Sequence, residues 1–86
     1  MVKCLMTWSW KGKNAAEVTQ RFKNWKPIGN VEFYYPIHTL IGANKAFTVL
    51  EVDDINTLAK NLRDWGDICV FEVSPIMDSR ELLSME

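Results

Sequence analysis

The stretch VEFYYPIHTLIGANKAFTVLEV, residues 31–52, decides how this chain folds. Its first half, Val31 to Ile41, alternates: Phe33, Tyr35, Ile37 and Ile41 share one parity, and Glu32, Tyr34 and His38 the other. Its second half, Ala46 to Val52, is rich in residues that suit a pleated surface. Gly42-Ala43-Asn44-Lys45 between them reads as a short turn, so the segment is predicted to be a β-hairpin. Pro36 cannot donate to a ladder, which points to an edge strand or a bulge in the first arm.

Helical patterns flank the hairpin on both sides. Upstream, Asn14 and Glu17 have the spacing of a capping box, and Ala15, Val18, Phe22 and Trp25 recur at steps of three and four. Pro27 and Gly29-Asn30 end that helix. Downstream, Asp53-Asp54 reads as a cap for a helix with an apolar stripe of Ile55, Leu58, Ala59, Leu62 and Trp65. Gly66 falls where a left-handed C′ residue is wanted. Outside the helices lie two more strand-like runs, Val2 to Trp10 and Ile68 to Ile76. Asp78 and Glu81 then suggest a capping box, with Met77 and Leu82 placed as a hydrophobic staple for a short terminal helix.

The order is therefore βαββαβ plus a tail. Right-handed crossovers around an intervening hairpin favour a ferredoxin-like α+β fold, an antiparallel four-stranded sheet with both helices on one face. Residues 1–77 are read as one domain and residues 78–86 as a C-terminal helical tail.

Composition narrows the function classes. The 86 residues are 48% hydrophobic and 24% charged, with 4 Gly and 3 Pro, which is the profile of an ordinary folded domain. A formal charge of −1 supplies no bulk field for nucleic acid or anionic lipid. No apolar run approaches the roughly 20 residues of a membrane span, and no signal-peptide pattern opens the sequence, so the expectation is a cytoplasmic protein. Two Cys and one His offer no metal-ligand spacing, and no cofactor is expected. Cys4 and Cys69 fall on neighbouring strands but too far apart in register to bridge, and read as small buried hydrophobes.

Size bears on assembly. A single core in a chain this short supplies little stability, and without disulfide or metal the remaining aid is a second copy. Four Trp, 4 Phe, 2 Tyr and 4 Met are a large inventory for so small an interior, and such residues are enriched at interfaces. A homodimer is expected.

Strand periodicity sorts the two faces of the sheet. Cys4, Met6, Trp8, Phe33, Tyr35, Leu50, Cys69, Phe71 and Val73 are placed beneath the helices. Leu5, Thr7, Ser9, Tyr34, His38, Phe47, Val49, Glu51, Val70, Glu72 and Ser74 are placed on the other face. That second set mixes apolar groups, hydroxyls, carboxylates and the imidazole, as a partner sheet or a lined pocket would require.

Several elements match a small, uncharacterised prokaryotic family. They are Met6-Thr7-Trp8, His38 ahead of a turn, Ala46 to Asp54, Asp64-Trp65-Gly66-Asp67, and Phe71-Glu72-Val73-Ser74-Pro75. Through them the chain resembles a domain of unknown function in the dimeric α+β barrel superfamily. It departs from that pattern at Pro36-Ile37, where Trp is expected, and from Leu40 to Lys45, where a glycine-rich turn is expected. The resemblance implies two subunits packing their sheets face to face. Relatives of that architecture include cofactor-independent monooxygenases, haem-degrading enzymes and muconolactone isomerase-like proteins.

The candidate chemistry is limited. His38 with Glu51 or Glu72 is the acid–base group to test, because imidazole titrates near neutrality and a carboxylate would orient it. Thr7, Ser9, Tyr34 and Phe47 are the candidate contacts to a small ligand. An oxygenase-type cleft lined by Trp8, Trp10 and Phe47 is the corresponding enzyme alternative, a cofactor-independent monooxygenase or isomerase acting on a small aromatic or polar substrate. An RNA-recognition reading fails at Lys45 to Val52, where Phe47 fits but Val49 and Val52 replace stacking aromatics and Glu51 adds negative charge. The expectation is a homodimeric small-ligand-binding or structural module.

Overall fold

A computed structural model describes residues 2–85. Strand β1 (Val2–Trp10) leads through a 3₁₀ turn into helix α1 (Ala15–Asn24). The hairpin follows as β2 (Val31–Thr39) and β3 (Lys45–Val52), then helix α2 (Ile55–Leu62) with a 3₁₀ turn at Arg63–Trp65. Strand β4 (Cys69–Pro75) and helix α3 (Ser79–Ser84) complete the chain. The sheet order is β2-β3-β1-β4 with all neighbours antiparallel, the ferredoxin-like arrangement.

Burial follows from the alternation on β1, β3 and β4. Cys4, Met6 and Trp8, then Ala46, Leu50 and Val52, then Cys69 enter the core with Val18, Leu58 and Trp65 from the helical layer. Among the described residues no second layer covers the opposite side of the sheet, where Leu5, Tyr34, Tyr35 and Val70 are exposed. The radius of gyration, 14.2 Å, exceeds the roughly 12 Å expected of a compact chain this long. Part of that excess is the tail, where Leu82, Leu83 and Met85 are exposed.

Two bulges in β2 change the expected sorting. Phe33 pairs with Leu50 but Tyr35 pairs with Val49, so two steps on β2 match one on β3. Between Tyr35 and His38 three steps match two. Each slip reverses parity. Tyr35, expected beneath the helices, therefore lies on the open face with Val49. Ile37 returns to the helical side and packs against the core, and His38 lies opposite Phe47. The hydroxyl of Thr48, itself fully buried, donates to the Tyr35 carbonyl at this irregularity.

The caps differ in detail from expectation. Asn14 precedes α1 without a side-chain cap bond: it ends the 3₁₀ turn with its own N–H on the Lys11 carbonyl at 2.9 Å, and the Glu17 carboxylate is engaged by Arg21 at 2.8 Å. Asp54 does cap α2, accepting the Asn56 N–H at 2.7 Å, and Asp78 caps α3 through the Arg80 N–H at 2.8 Å. Met77 and Leu82, the expected staple, are both about half exposed. Gly66 has φ −63° because α2 tightens into the 3₁₀ turn instead of ending in a left-handed residue. Gly29 has φ +76°, and a Cβ there would sit 2.9 Å from Thr57 Cγ2. Only glycine meets both conditions.

Long-range polar contacts lock the helical layer. Asn61 is buried on α2; its Oδ1 accepts the Ile28 N–H at 2.8 Å and its Nδ2 donates to the Ile28 carbonyl at 2.9 Å. Arg21 forks onto Asp67 with both bonds at 2.9 Å and donates to the Asp64 carbonyl at 3.0 Å. These bonds fix the loop after α1 to α2, and α1 itself to the turn before β4.

Candidate functional site

The open face is arranged in rows across the strands. One row runs His38, Phe47, Thr7, Glu72 from edge to edge; the next runs Tyr35, Val49, Leu5, Ser74. A third holds Glu32, Glu51 and Lys3. Three strand spacings of about 4.8 Å place His38 and Glu72 about 14 Å apart across their row. Glu51 lies two rows, four residues of β3, from Phe47. Within one protomer His38 therefore meets neither carboxylate.

What His38 does meet is aromatic. Its ring lies 4.7 Å from Tyr35 and 6.0 Å from Phe47 between centroids, and Tyr35 stacks on Phe47 at 5.5 Å and 15°. Its Nδ1 is 2.7 Å from the Pro36 carbonyl. A carbonyl only accepts, so Nδ1 carries the hydrogen and Nε2 is the nitrogen left to outside groups. The proline that bulges the strand thus also orients the imidazole.

At the other end of the face, Tyr34 donates to Glu51 Oε1 at 3.5 Å, and Lys3 Nζ stands 4.4 Å from the Tyr34 ring centroid. The negative charge of Glu32, then that of Glu51, pushes the Tyr34 phenol above its ordinary range. Thr7, Ser9, Glu72, Lys45 and Val70 line a hollow of about 230 Å³ on the β1–β4 side of the face. Of the ligand contacts expected from sequence, Thr7 and Ser9 come together there, while Phe47 joins His38 and Tyr34 joins Glu51.

A larger cleft lies on the helical side. It measures about 360 Å³ between α1 and the sheet, walled by Trp8, Trp10, Val18, Phe22, Ile37 and Ala46, with Thr19, Lys23 and Thr39 as its polar lining. The indole N–H of Trp10 is buried and has no hydrogen-bond partner among the described residues. Such a donor costs about 1–3 kcal/mol until an acceptor meets it. Trp8 and Trp10 were expected as cleft walls, but Phe47 is on the opposite side of the sheet. Phe22 and Lys23 were not expected, although their place on the α1 stripe and the turn of helix beside it follows from the same spacing.

Cys4 pairs with Pro75 and Cys69 with Trp10, six residues apart along β1, and both thiols are free and buried. Burial pushes both thiols up, and Cys69 feels opposing effects of Arg21 and Asp67. Among the described residues no cluster of three or more His, Cys, Asp or Glu gathers, and no helix is long and apolar enough to cross a membrane.

Fold and site together define a ferredoxin-like α+β domain with an apolar cleft under α1 and an uncovered sheet face. The family described as Domain of unknown function (DUF3303) matches residues 2–86, and the chain belongs to it. No curated protein and no solved structure matches the chain.

Proposed function

We propose that this protein is a homodimeric module that binds a small, largely planar apolar ligand, without a catalytic step, in the cleft between α1 and the sheet. The observation that carries the binding reading is the cleft itself. Its 360 Å³ lies within the range of small-molecule sites, and its walls are aromatic and aliphatic with few polar groups. An aromatic acid or phenol suits it, because such a molecule offers a flat apolar body and an acceptor for the Trp10 N–H or Lys23.

The dimer rests on the open face, where Leu5, Tyr34, Tyr35 and Val70 are exposed around half-buried Phe47 and Val49. The resemblance to dimeric α+β barrels supports the same assembly. Unbridged, buried Cys4 and Cys69 suit a reducing compartment, and we place the protein in the cytoplasm.

Tryptophan fluorescence and thermal shift with benzoate, phenol and indole test the binding reading. A saturable change with at least one of them, weakened by Phe22→Ala, is expected. Absence of any saturable change with all three overturns it. A second reading, a cofactor-independent enzyme, draws support from the oriented His38 ring with Nε2 outward.

A further inference from the structure

The open face carries a pattern that matches itself under one particular two-fold axis. A dimer with closed symmetry presents the same patch twice, so each residue must suit the residue it meets. Place the axis parallel to the strands, above the seam between β3 and β1. Every row then lies over the same row of the partner, reversed from edge to edge. Each β3 residue meets a β1 residue, and each β2 residue meets a β4 residue.

Three rows supply matched pairs in this arrangement; in a fourth, Lys45 lies over the partner's Ser9, and Glu32 at the β2 edge has no strand-paired residue opposite it. In the row nearest the chain start, Glu51 lies over the partner's Lys3. In the middle row, Val49 lies over the partner's Leu5, and Tyr35 over the partner's Ser74. In the third row, Phe47 lies over the partner's Thr7 and His38 over the partner's Glu72. Charge meets opposite charge, aliphatic meets aliphatic, and bulky meets small. The aromatic cluster of Tyr35, His38 and Phe47 projects from the β2–β3 half, and the 230 Å³ hollow around Thr7, Ser9 and Glu72 receives it from the β1–β4 half.

Other two-fold axes fit less well. An axis above β3 puts Glu51 over its own copy, and one above β1 does the same to Lys3. An axis perpendicular to the strands lays each strand on itself; centred between the Phe47 and Val49 rows it puts Glu51 over the partner's Lys45. That axis, however, sets His38 over the partner's Tyr35 and Phe47 over the partner's Val49, bulky on bulky, and leaves the Thr7–Ser9–Glu72 hollow without the ring cluster.

We infer that a second copy of this chain packs on the open face about an axis parallel to the strands at the β3–β1 seam, completing two composite His38–Glu72 pairs that no single protomer can form. Sheets packed face to face stand about 10 Å apart, a gap that an imidazole and a glutamate can span from opposite sides. With Nδ1–H held by Pro36, Nε2 is the ring nitrogen that faces the carboxylate of the partner's Glu72. The inference rests on the dimer proposed above and adds its register and its composite pair.

The test uses the full chain and separates the two claims. Light scattering first establishes the oligomeric state. A double variant, His38→Cys with Glu72→Cys, is then treated with a short bismaleimide and run on a denaturing gel. A covalent dimer from the double variant, with none from either single variant or the unmodified chain, is expected. If the protein is a dimer but the double variant does not cross-link, or if His38→Cys alone does, the axis is wrong and the dimer stands. A monomer at micromolar concentration overturns both. As an independent readout, His38→Ala and Glu72→Ala should each weaken the dimer about tenfold and the pair together no further. Strictly additive losses overturn the composite pair.

Discussion

Replacing Thr48 by Val tests how the open face acquires its aromatic cluster. Thr48 is fully buried, and its hydroxyl donates to the Tyr35 carbonyl where β2 bulges. Valine keeps the branched shape and removes the donor. Leaving the Tyr35 carbonyl without that donor costs about 1–3 kcal/mol, and the added apolar carbon returns about 0.8 kcal/mol. The net loss is about 0.2–2.2 kcal/mol, a fall in Tm of about 1–18 °C for a chain of this length. Thermal unfolding at fixed protein concentration measures it, since any dimer makes Tm concentration-dependent. Nuclear Overhauser contacts between the Tyr35 and Phe47 rings report the bulge directly. Thr48→Val is expected to lower Tm and weaken those contacts, while Thr48→Ser keeps them. A Thr48→Val protein as stable as the parent, with the Tyr35–Phe47 contacts intact, would refute the role assigned to the hydroxyl.

Three further outcomes follow from the same reasoning. Asn61→Leu removes both partners of Ile28 and is expected to cost about 2–4 kcal/mol in urea unfolding and to speed exchange of the Ile28 amide; unchanged exchange contradicts the pinning of that loop. Arg21 holds the Asp67 carboxyl below its ordinary range, so the pair stabilises the fold above the unfolded carboxylate value near pH 4 and the contribution is lost as pH falls through the lower folded value. Asp67→Asn should flatten that part of the acid-denaturation profile, and an identical profile counts against the pair. Cys4 and Cys69 are buried with raised thiol values, so Ellman's reagent should find little reactive thiol in the native protein and both thiols after denaturation; rapid native reaction, or a 4–69 disulfide on oxidation, contradicts the register.

Much of the open face was legible as letters. On β1, β3 and β4 alternation is strict, so the sides of Thr7, Ser9, Phe47, Glu51 and Glu72 follow from counting by two. On β2 the count fails at Tyr35, because a bulge depends on how one strand is paired with another and Pro36 announces only that some irregularity is near. The Asn14–Glu17 box had the right spacing, but the Glu17 carboxylate pairs instead with Arg21 one turn along the same helix, and Arg21 is held in turn by Asp67 from a distant part of the chain. Asn61 interrupts nothing in the α2 stripe and looks solvent-facing until Ile28 is brought against it.

By itself, the order of periodicities dictated a helix layer over a four-stranded antiparallel sheet, since periods of 3.6 and 2 are local properties of the backbone. It also marked the uncovered face as too apolar for solvent and too polar for a core. Only the tertiary structure decided that His38 and Glu72 stand at opposite ends of one row and that Trp10 and Phe22 wall a common cleft. Those relations are distances between segments remote in sequence, set by strand register and by where α1 is anchored, and no local pattern encodes them.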